Sequence, residues 1–561
     1  MIPWCANIHL VPTRQLPIKA KLLQQNTYTE DLLNFQPEMN TMKSVKAGGV
    51  FIVCFLFATG LYAQKEMVDT AAFNRIRDAE KYSSQVESIA FHLTDAAGSR
   101  LTNSPGFFRA ANWAVESLKK WGLEKAGLEP WGEYGRGWEI EDFNLAMKKP
   151  YNAQVIGYPL PWSSITPGTI QAPVYWITEI NLLDSVYLAK HQDLMKGKIV
   201  FISNPVSGHE SDFKPFSTRY TDSELVKMPD LDVYNHQQIA FYISLRKKAV
   251  ERKAQIKTYG ALAIISSRGI GRDGTVFVQN AGGYKTGSPE YLPEATISSE
   301  DGFKIKRLIA AGIPVELSLN IRGKFYSEDT KGYNVLAEIP GTDPALKNQV
   351  VMLGAHLDSW TASTGATDNA AGCAIMLETV RLLDSLKLKP KRTIRIALWS
   401  GEEQAVFGSY NYVKNHFGNG ETGELKPAQA NISVYFNLDA GTGRIRGIFA
   451  DGDTAAKNIF EQWLVPFHDL DAKTVLLSYT GSTDHVSFEW AGIPGFSFIQ
   501  DPLDYETKTH HTNMDSYDYL QMDDLKQAAT IVAAFVYQAS IRPDMIPRKK
   551  LKKEIFPFEG L

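Results

Sequence analysis

Apolar residues recur every three to four positions across Asp69–Leu93 and again in SPGFFRAANWAVESLKKWGL, so both stretches predict helices. In the second, Ser104 is the expected N-cap, Pro105 sits in the first turn and Gly122 ends the run. From Trp131 to Pro150 the pattern turns aromatic and strand-like. From about Tyr151 to Gly323 short β-rich runs (APVYWIT, GKIVFISNP, ALAIISS, PEATISS, PVELSLNI) alternate with turns around one helical stretch, HQQIAFYISLRKKAVERKAQIKTYG. From about Gly332 strands and helices alternate. YNVLAEIP, QVVMLGAHLD, RTIRIALWS, ISVYFNLDA and GIPGFSFIQ read as strands; Asn369–Leu386, Gly408–His416, Thr454–Phe467 and Asp523–Ile541 read as helices. Strands apolar on both faces and joined by helices predict an α/β fold with a mostly parallel central sheet covered by helices. In such sheets ligands bind beyond the carboxyl ends of the strands.

A chain of 561 residues exceeds one ordinary core, so two or three domains are expected. Its 59 basic and 62 acidic side chains leave a net charge of -3, which gives no support to nucleic acid as a partner. The basic run Arg548–Lys553 reads as a solvated tail. Three cysteines, Cys5, Cys54 and Cys373, exclude a disulfide-framed scaffold and a cysteine-based zinc cluster. From Met42, MKSVKAGGVFIVCFLFATGLYAQ has a basic start, an apolar stretch from Ala47 to Leu61 and a small residue at Ala63. It reads as a secretory signal, short for a membrane span, with cleavage after Ala63. Residues 1–41 fit no targeting pattern and read as a misassigned leader. The mature chain is then expected to be exported, periplasmic or extracellular, with no stable membrane insertion.

Two features bear on chemistry. GIGRDG, Gly269 to Gly274, matches a dinucleotide-binding glycine pattern, but TVFVQNAGG follows instead of a helix, so it reads as a loop. Five other segments put acids and histidines where strands should end: GAHLDS (His356, Asp358), GATDNAAG (Asp368), SGEEQ (Glu402, Glu403), FNLDAG (Asp439) and THHTNMD (His510, His511, Asp515). Singly, each has an ordinary structural explanation. Together they supply imidazoles and carboxylates at one sheet edge, a donor set suited to zinc, and rich enough in carboxylate for two metals. Dications also explain how buried acids can crowd without taking up protons.

In this order, His-x-Asp, Gly-Ala-x-Asp-Asn-x-x-Gly, Glu-Glu, Asp after an apolar strand and His-Thr-x-x-Asp resemble the M28 family of co-catalytic zinc peptidases, over roughly Gly332 to Leu520. The nearest likeness is to its carboxypeptidase Q-like branch. GKIVFISNP and YGALAIIS resemble an inserted protease-associated domain. The resemblance implies a zinc exopeptidase fold divided as follows: 64–150 the N-terminal helical part of the catalytic domain, 151–325 the inserted β-rich domain, 326–541 the catalytic domain and 542–561 the basic tail, after a leader at 1–41 and the signal at 42–63. It implies two Zn2+ per chain, with Asp368 bridging them, His356 and Asp439 on one, and Glu403 and His511 on the other. Asp358 would hold the far nitrogen of His356, and Glu402 would be the general base. GSTDHVSF matches a family segment near the substrate pocket, making Asp484 and His485 candidates for substrate contact. Family members often carry Tyr where this chain has His510, which leaves that residue's role open. The implied activity is hydrolysis of short peptides or dipeptides from a free terminus, as an aminopeptidase, carboxypeptidase or dipeptidase; the branch also tends to form homodimers. Two other readings share the fold. One is a non-catalytic receptor-like scaffold, against which the intact ligand set stands. The other is a single-zinc glutaminyl-cyclase-like acyltransferase, against which His356 stands.

Overall fold

Four strands, Thr393–Trp399, Val350–His356, Ile432–Asn437 and Gly495–Gln500, lie side by side and parallel at the centre of an eight-stranded sheet. The computed structural model describes residues 66–556 except 207, 210–212, 232–235, 270 and 280–281. The leader and signal segments, 1–41 and 42–63, fall outside the described residues. Lys331–Ile339 and Glu124–Glu133 extend the sheet antiparallel on one side. On the other, Ile445–Phe449 runs antiparallel to Gly495–Gln500 and parallel to Thr474–Leu476.

Every residue of Val350–His356 and of Ile432–Asn437 is buried, which requires cover on both faces. Side chains alternate between the two. Val351, Leu353, Ala355, Val434 and Phe436 join one large core with helices Ala371–Ser385 and Met522–Ile541. Tyr435 and Trp399 point the other way, where Tyr435 stacks on Phe488 of helix His485–Trp490 at 4.1 Å. With both faces closed by apolar packing, the rim where the parallel strands end is the place left for polar chemistry.

The second eight-stranded sheet runs 153–154, 137–149, 316–326, 170–178, 199–203, 263–267, 294–297 and 157–159, with a parallel middle. Gly137–Lys149 pairs with Glu316–Tyr326 through most of its length. This ladder begins before residue 150, so the boundary expected at 150/151 cuts through it. The aromatic texture of Trp131–Pro150 gave no sign that the chain had already changed sheets, because pairing partners nearly 180 residues away do not alter local pattern. Helix Ser299–Ala310 is also absent from the expected elements, although Ser298 caps it by accepting from the Asp301 amide. The helical stretch expected over Asp69–Leu93 is two helices, Thr70–Ser83 and Val86–Leu93.

The basic tail is not simply solvated. Arg548 donates to the carbonyls of Gly492 (3.1 Å), Gln429 (2.9 Å) and Ile432. Lys549 meets Glu489 Oε1 at 2.5 Å and the Asp451 carbonyl at 2.7 Å. Phe556 is buried against Tyr410. A charge run read alone reveals nothing about the carbonyls that distant strands and turns present to it.

Candidate metal centre

The acids and histidines collect at the carboxyl ends of the parallel strands. His356 is the last residue of Val350–His356, and Asp439 follows Ile432–Asn437 by two residues. Strand Thr393–Trp399 leads into Gly401, whose φ of +68° makes a left-handed turn open to glycine. Glu402 and Glu403 come next. Their backbone amides both donate to the Asp358 carboxylate at 3.3 Å, and Thr102 donates its hydroxyl to the same group at 2.9 Å. Asp368 lies just before helix Ala371–Ser385. Its own amide and that of Thr367 donate to Asp515, at 3.1 and 2.6 Å, which fixes the loop.

The distances sort these groups. Asp368 Oδ1 is 3.1 Å from His356 Nε2, and its Oδ2 is 3.0 Å from His511 Nε2. His356 Nε2 is also 3.2 Å from Asp439 Oδ1 and 3.9 Å from Glu402 Oε2. His511 Nε2 is 2.9 Å from Glu403 Oε2. His510 stands further off, 3.9 Å from Asp368 Oδ2, and stacks on Tyr505.

Burial drives the electrostatics. It pushes the Glu402 and Glu403 carboxyls well above the usual carboxylate range; Asp368 adds to this for Glu403. Asp368 is the reverse. Burial would raise it, but His511 and His356 together hold it well below. Burial would likewise lower His356, yet Asp439 and Glu402 keep it well above the ordinary imidazole value.

Both oxygens of Asp368 and of Glu403, Asp439 Oδ2 and His511 Nε2 are buried and make no hydrogen bond among the described residues. Several nevertheless approach one another to about 3 Å. Buried polar atoms are almost always hydrogen-bonded. Donor atoms that crowd without aligning to one another are directed instead at common points between them, where a cation fits. Nitrogen and carboxylate donors in these numbers fit zinc.

Two sequence expectations come out differently. Asp358 does meet the far nitrogen of His356, but through its backbone carbonyl, 3.0 Å from Nδ1; its carboxylate is 3.8 Å away and serves the Glu402 and Glu403 amides instead. One residue turning the chain can present its carbonyl or its side chain, and spacing alone does not say which. His485 does not join the rim group. It is buried beside Asp451 and the half-buried Glu489 and meets the Thr480 carbonyl through Nε2. Asp484 is buried nearer the rim, its carboxyl pushed up to about 7, chiefly by burial. Asp515 was within sight in the sequence as the last position of His-Thr-x-x-Asp. Gln279, whose amide nitrogen lies 3.0 Å from His511 Nδ1, had no signal at all.

The profile of Peptidase family M28 matches residues 334–536, which hold all ten of the expected site residues. Carboxypeptidase Q of Xenopus laevis is 30% identical over 486 residues, 86% of this chain and 90% of that protein. The chain belongs to peptidase family M28. It is a zinc metallopeptidase, in keeping with relatives named carboxypeptidase Q, including the human protein at 28% identity over 81% of this chain and 85% of that one. Among solved structures, a peptidase M28 precursor from Shewanella amazonensis SB2B shares the fold with a TM-score of 0.63 at 23% identity, covering 86% of this chain and 98% of that one. The zinc aminopeptidase from Bacillus subtilis shares it at 0.52 and 22%, covering 83% and 98%. The M28 match begins at residue 334, so the second sheet lies wholly outside it. No helix among the described residues is long and apolar enough to cross a membrane.

Proposed function

We propose that the chain is an exported exopeptidase that hydrolyses short peptides with two zinc ions bound at the sheet rim. One observation carries the reading: Asp368 offers Oδ1 to the His356 side and Oδ2 to the His511 side, as a carboxylate shared between two cations does. His356 and Asp439 would hold one ion, Glu403 and His511 the other, with Asp368 common to both. Bound zinc would supply Lewis acidity, polarising a carbonyl and acidifying a water.

The chain's own residues do the rest. Glu402 lies on the His356–Asp439 side of the cluster and is fully buried. It takes a proton from the attacking water and returns it to the leaving amine, a transfer worth ~10²–10⁴ in rate. Hydroxide thus goes to the carbonyl carbon and hydrogen to the departing nitrogen. Asp358 holds the backbone of both glutamates and so fixes where the base points. Trp360 and Phe277 pack beside His511, with ring centroids 6.1 and 5.6 Å away, and keep bulk water from that side.

Relatives carry both carboxypeptidase and aminopeptidase names, so the end that is trimmed is read from a peptide panel. Peptides with free ends, with a blocked amine and with a blocked carboxyl are incubated with and without a chelator. Hydrolysis is expected when one particular end is free, to stop with chelator and to return with zinc. Turnover that survives chelation, or that is indifferent to blocking both ends, would overturn the proposal.

A further inference from the structure

Residues 274–279 form the loop tail that the sequence marks as GTVFVQ, after the glycine match GIGRDG. They belong to the part of the chain outside the M28 match, yet they lie along the final ligand segment. The Val278 amide donates to the His511 carbonyl at 2.8 Å, and the Asn513 amide donates to the Val276 carbonyl at 3.1 Å. Asn513 accepts from the Val276 amide at 2.6 Å, and Phe277 bridges to Thr512 antiparallel. At the end of this short ladder the Gln279 amide faces His511, its Nε2 3.0 Å from Nδ1. His511 itself has a φ of +58°, the left-handed region uncommon for a side chain of its size.

The geometry points to Gln279 as the positioning residue of His511. A histidine that ligates through Nε2 must carry its proton on Nδ1, and a partner that accepts that proton fixes both the tautomer and the ring plane. An amide does either job. With Nε2 toward the ring it donates to Nδ1; a half-turn puts Oε1 at the same point with no change of shape, and it then accepts. With zinc on Nε2, Oε1 would face the ring. The Nδ1–H bond to it leaves the Nε2 lone pair aimed between Asp368 and Glu403. The catalytic rim is thereby completed by a residue 232 positions away in sequence, delivered by the second sheet's loops.

This inference rests on the zinc reading, so the test begins with zinc affinity of the full-length wild type, measured by chelator competition. Wild-type chain that binds no zinc would remove the reading and this inference with it. Given two bound equivalents, Gln279→Leu, which can neither accept nor donate, should weaken one of them by about 10- to 100-fold and leave the other in place. Gln279→Glu, which can only accept, should hold zinc at least as tightly as the wild type. A leucine variant with unchanged affinity overturns the inference while leaving the reading intact. Equal loss in both variants also overturns it, because the residue would then matter for shape alone. Should Gln279→Leu fail to fold, the glutamate variant decides by itself: retained affinity supports positioning, weakened affinity refutes it.

Discussion

The rim cluster and the network around Asp501 both bury carboxylates, and they solve the problem in opposite ways. Asp501 is fully buried, but Arg219 and Arg446 each reach it at 2.9 Å and the Tyr220 amide donates at 3.0 Å. Neighbouring Asp524 has Arg219 at 2.7 Å and Arg444 at 3.4 Å. At the rim, the ion pairs of Asp368, Glu403 and Asp439 among the described residues are all with histidines, whose charge is conditional. Arg100 is buried close by, yet it donates to the carbonyls of Leu357, Leu93, Thr364 and Gly365 and not to these acids. A third neighbourhood stands between. Glu80 and Glu378 share one arginine, Arg381, which binds Glu378 through two nitrogens. Glu80 is consequently pushed up to about 8, chiefly by burial and then by Glu378. Arginines that bind buried acids directly mark structure; crowded acids that no arginine or lysine among the described residues contacts directly suit a cation supplied from outside.

The sharpest way to break this contrast is at Glu402. Glu402→Gln removes the proton acceptor but no proposed ligand, so turnover should fall by ~10²–10⁴ while zinc content stays at the wild-type level. Steady-state kinetics alongside metal analysis checks both halves, and a near-normal rate would return Glu402 to a structural role. At the Asp501 network the expected outcome is inverted. Arg446→Met strips one cation from a buried acid and should cost about 3 kcal/mol in urea unfolding, with kcat/KM of the folded enzyme unchanged. A loss of zinc in that variant would blur the distinction between the two regions. The remaining effect, spread over several pH units, concerns Glu80. Its folded pKa of about 8 lies above its ordinary 4.5, so the folded chain holds a proton that the unfolded chain has released between those values. Stability should fall as pH rises through that window, by up to about 1.4 kcal/mol per pH unit, and Glu80→Gln should flatten the slope. Thermal melts at pH 6 and 8 give the answer; equal slopes in both proteins would mean that folded Glu80 does not keep its proton through that range.

The sequence was most legible where the physics is local. Val351, Leu353 and Ile396 announce buried strands because a strand covered on both faces must be apolar throughout. Pro105 marks the start of a helix because its fixed φ suits the first turn, while the Ser104 hydroxyl just before it makes no cap and instead accepts from the distant Trp138 amide at 2.8 Å. His356, Asp368, Glu402, Glu403 and Asp439 stood out because they fall beside readable strands and helices; choosing His356, Asp368, Glu403, Asp439 and His511 as one set came from the resemblance to M28 peptidases. The distant contacts were not legible. Gln279 reaching His511, Gly137–Lys149 pairing with Glu316–Tyr326 and Arg548 threading among distant carbonyls all join segments far apart in the chain.

By itself, then, the order of residues determined which strands and helices form and which acids and histidines reach the strand ends, since hydrophobic periodicity and turn chemistry act over a few positions. Only the tertiary structure decided that Asp358 serves two glutamate amides, that His485 lies in a different cluster, and that the second sheet's loop touches His511. The reason is range: a hydrogen bond is made over about 3 Å of space, and sequence separation says nothing about that distance until the chain has packed.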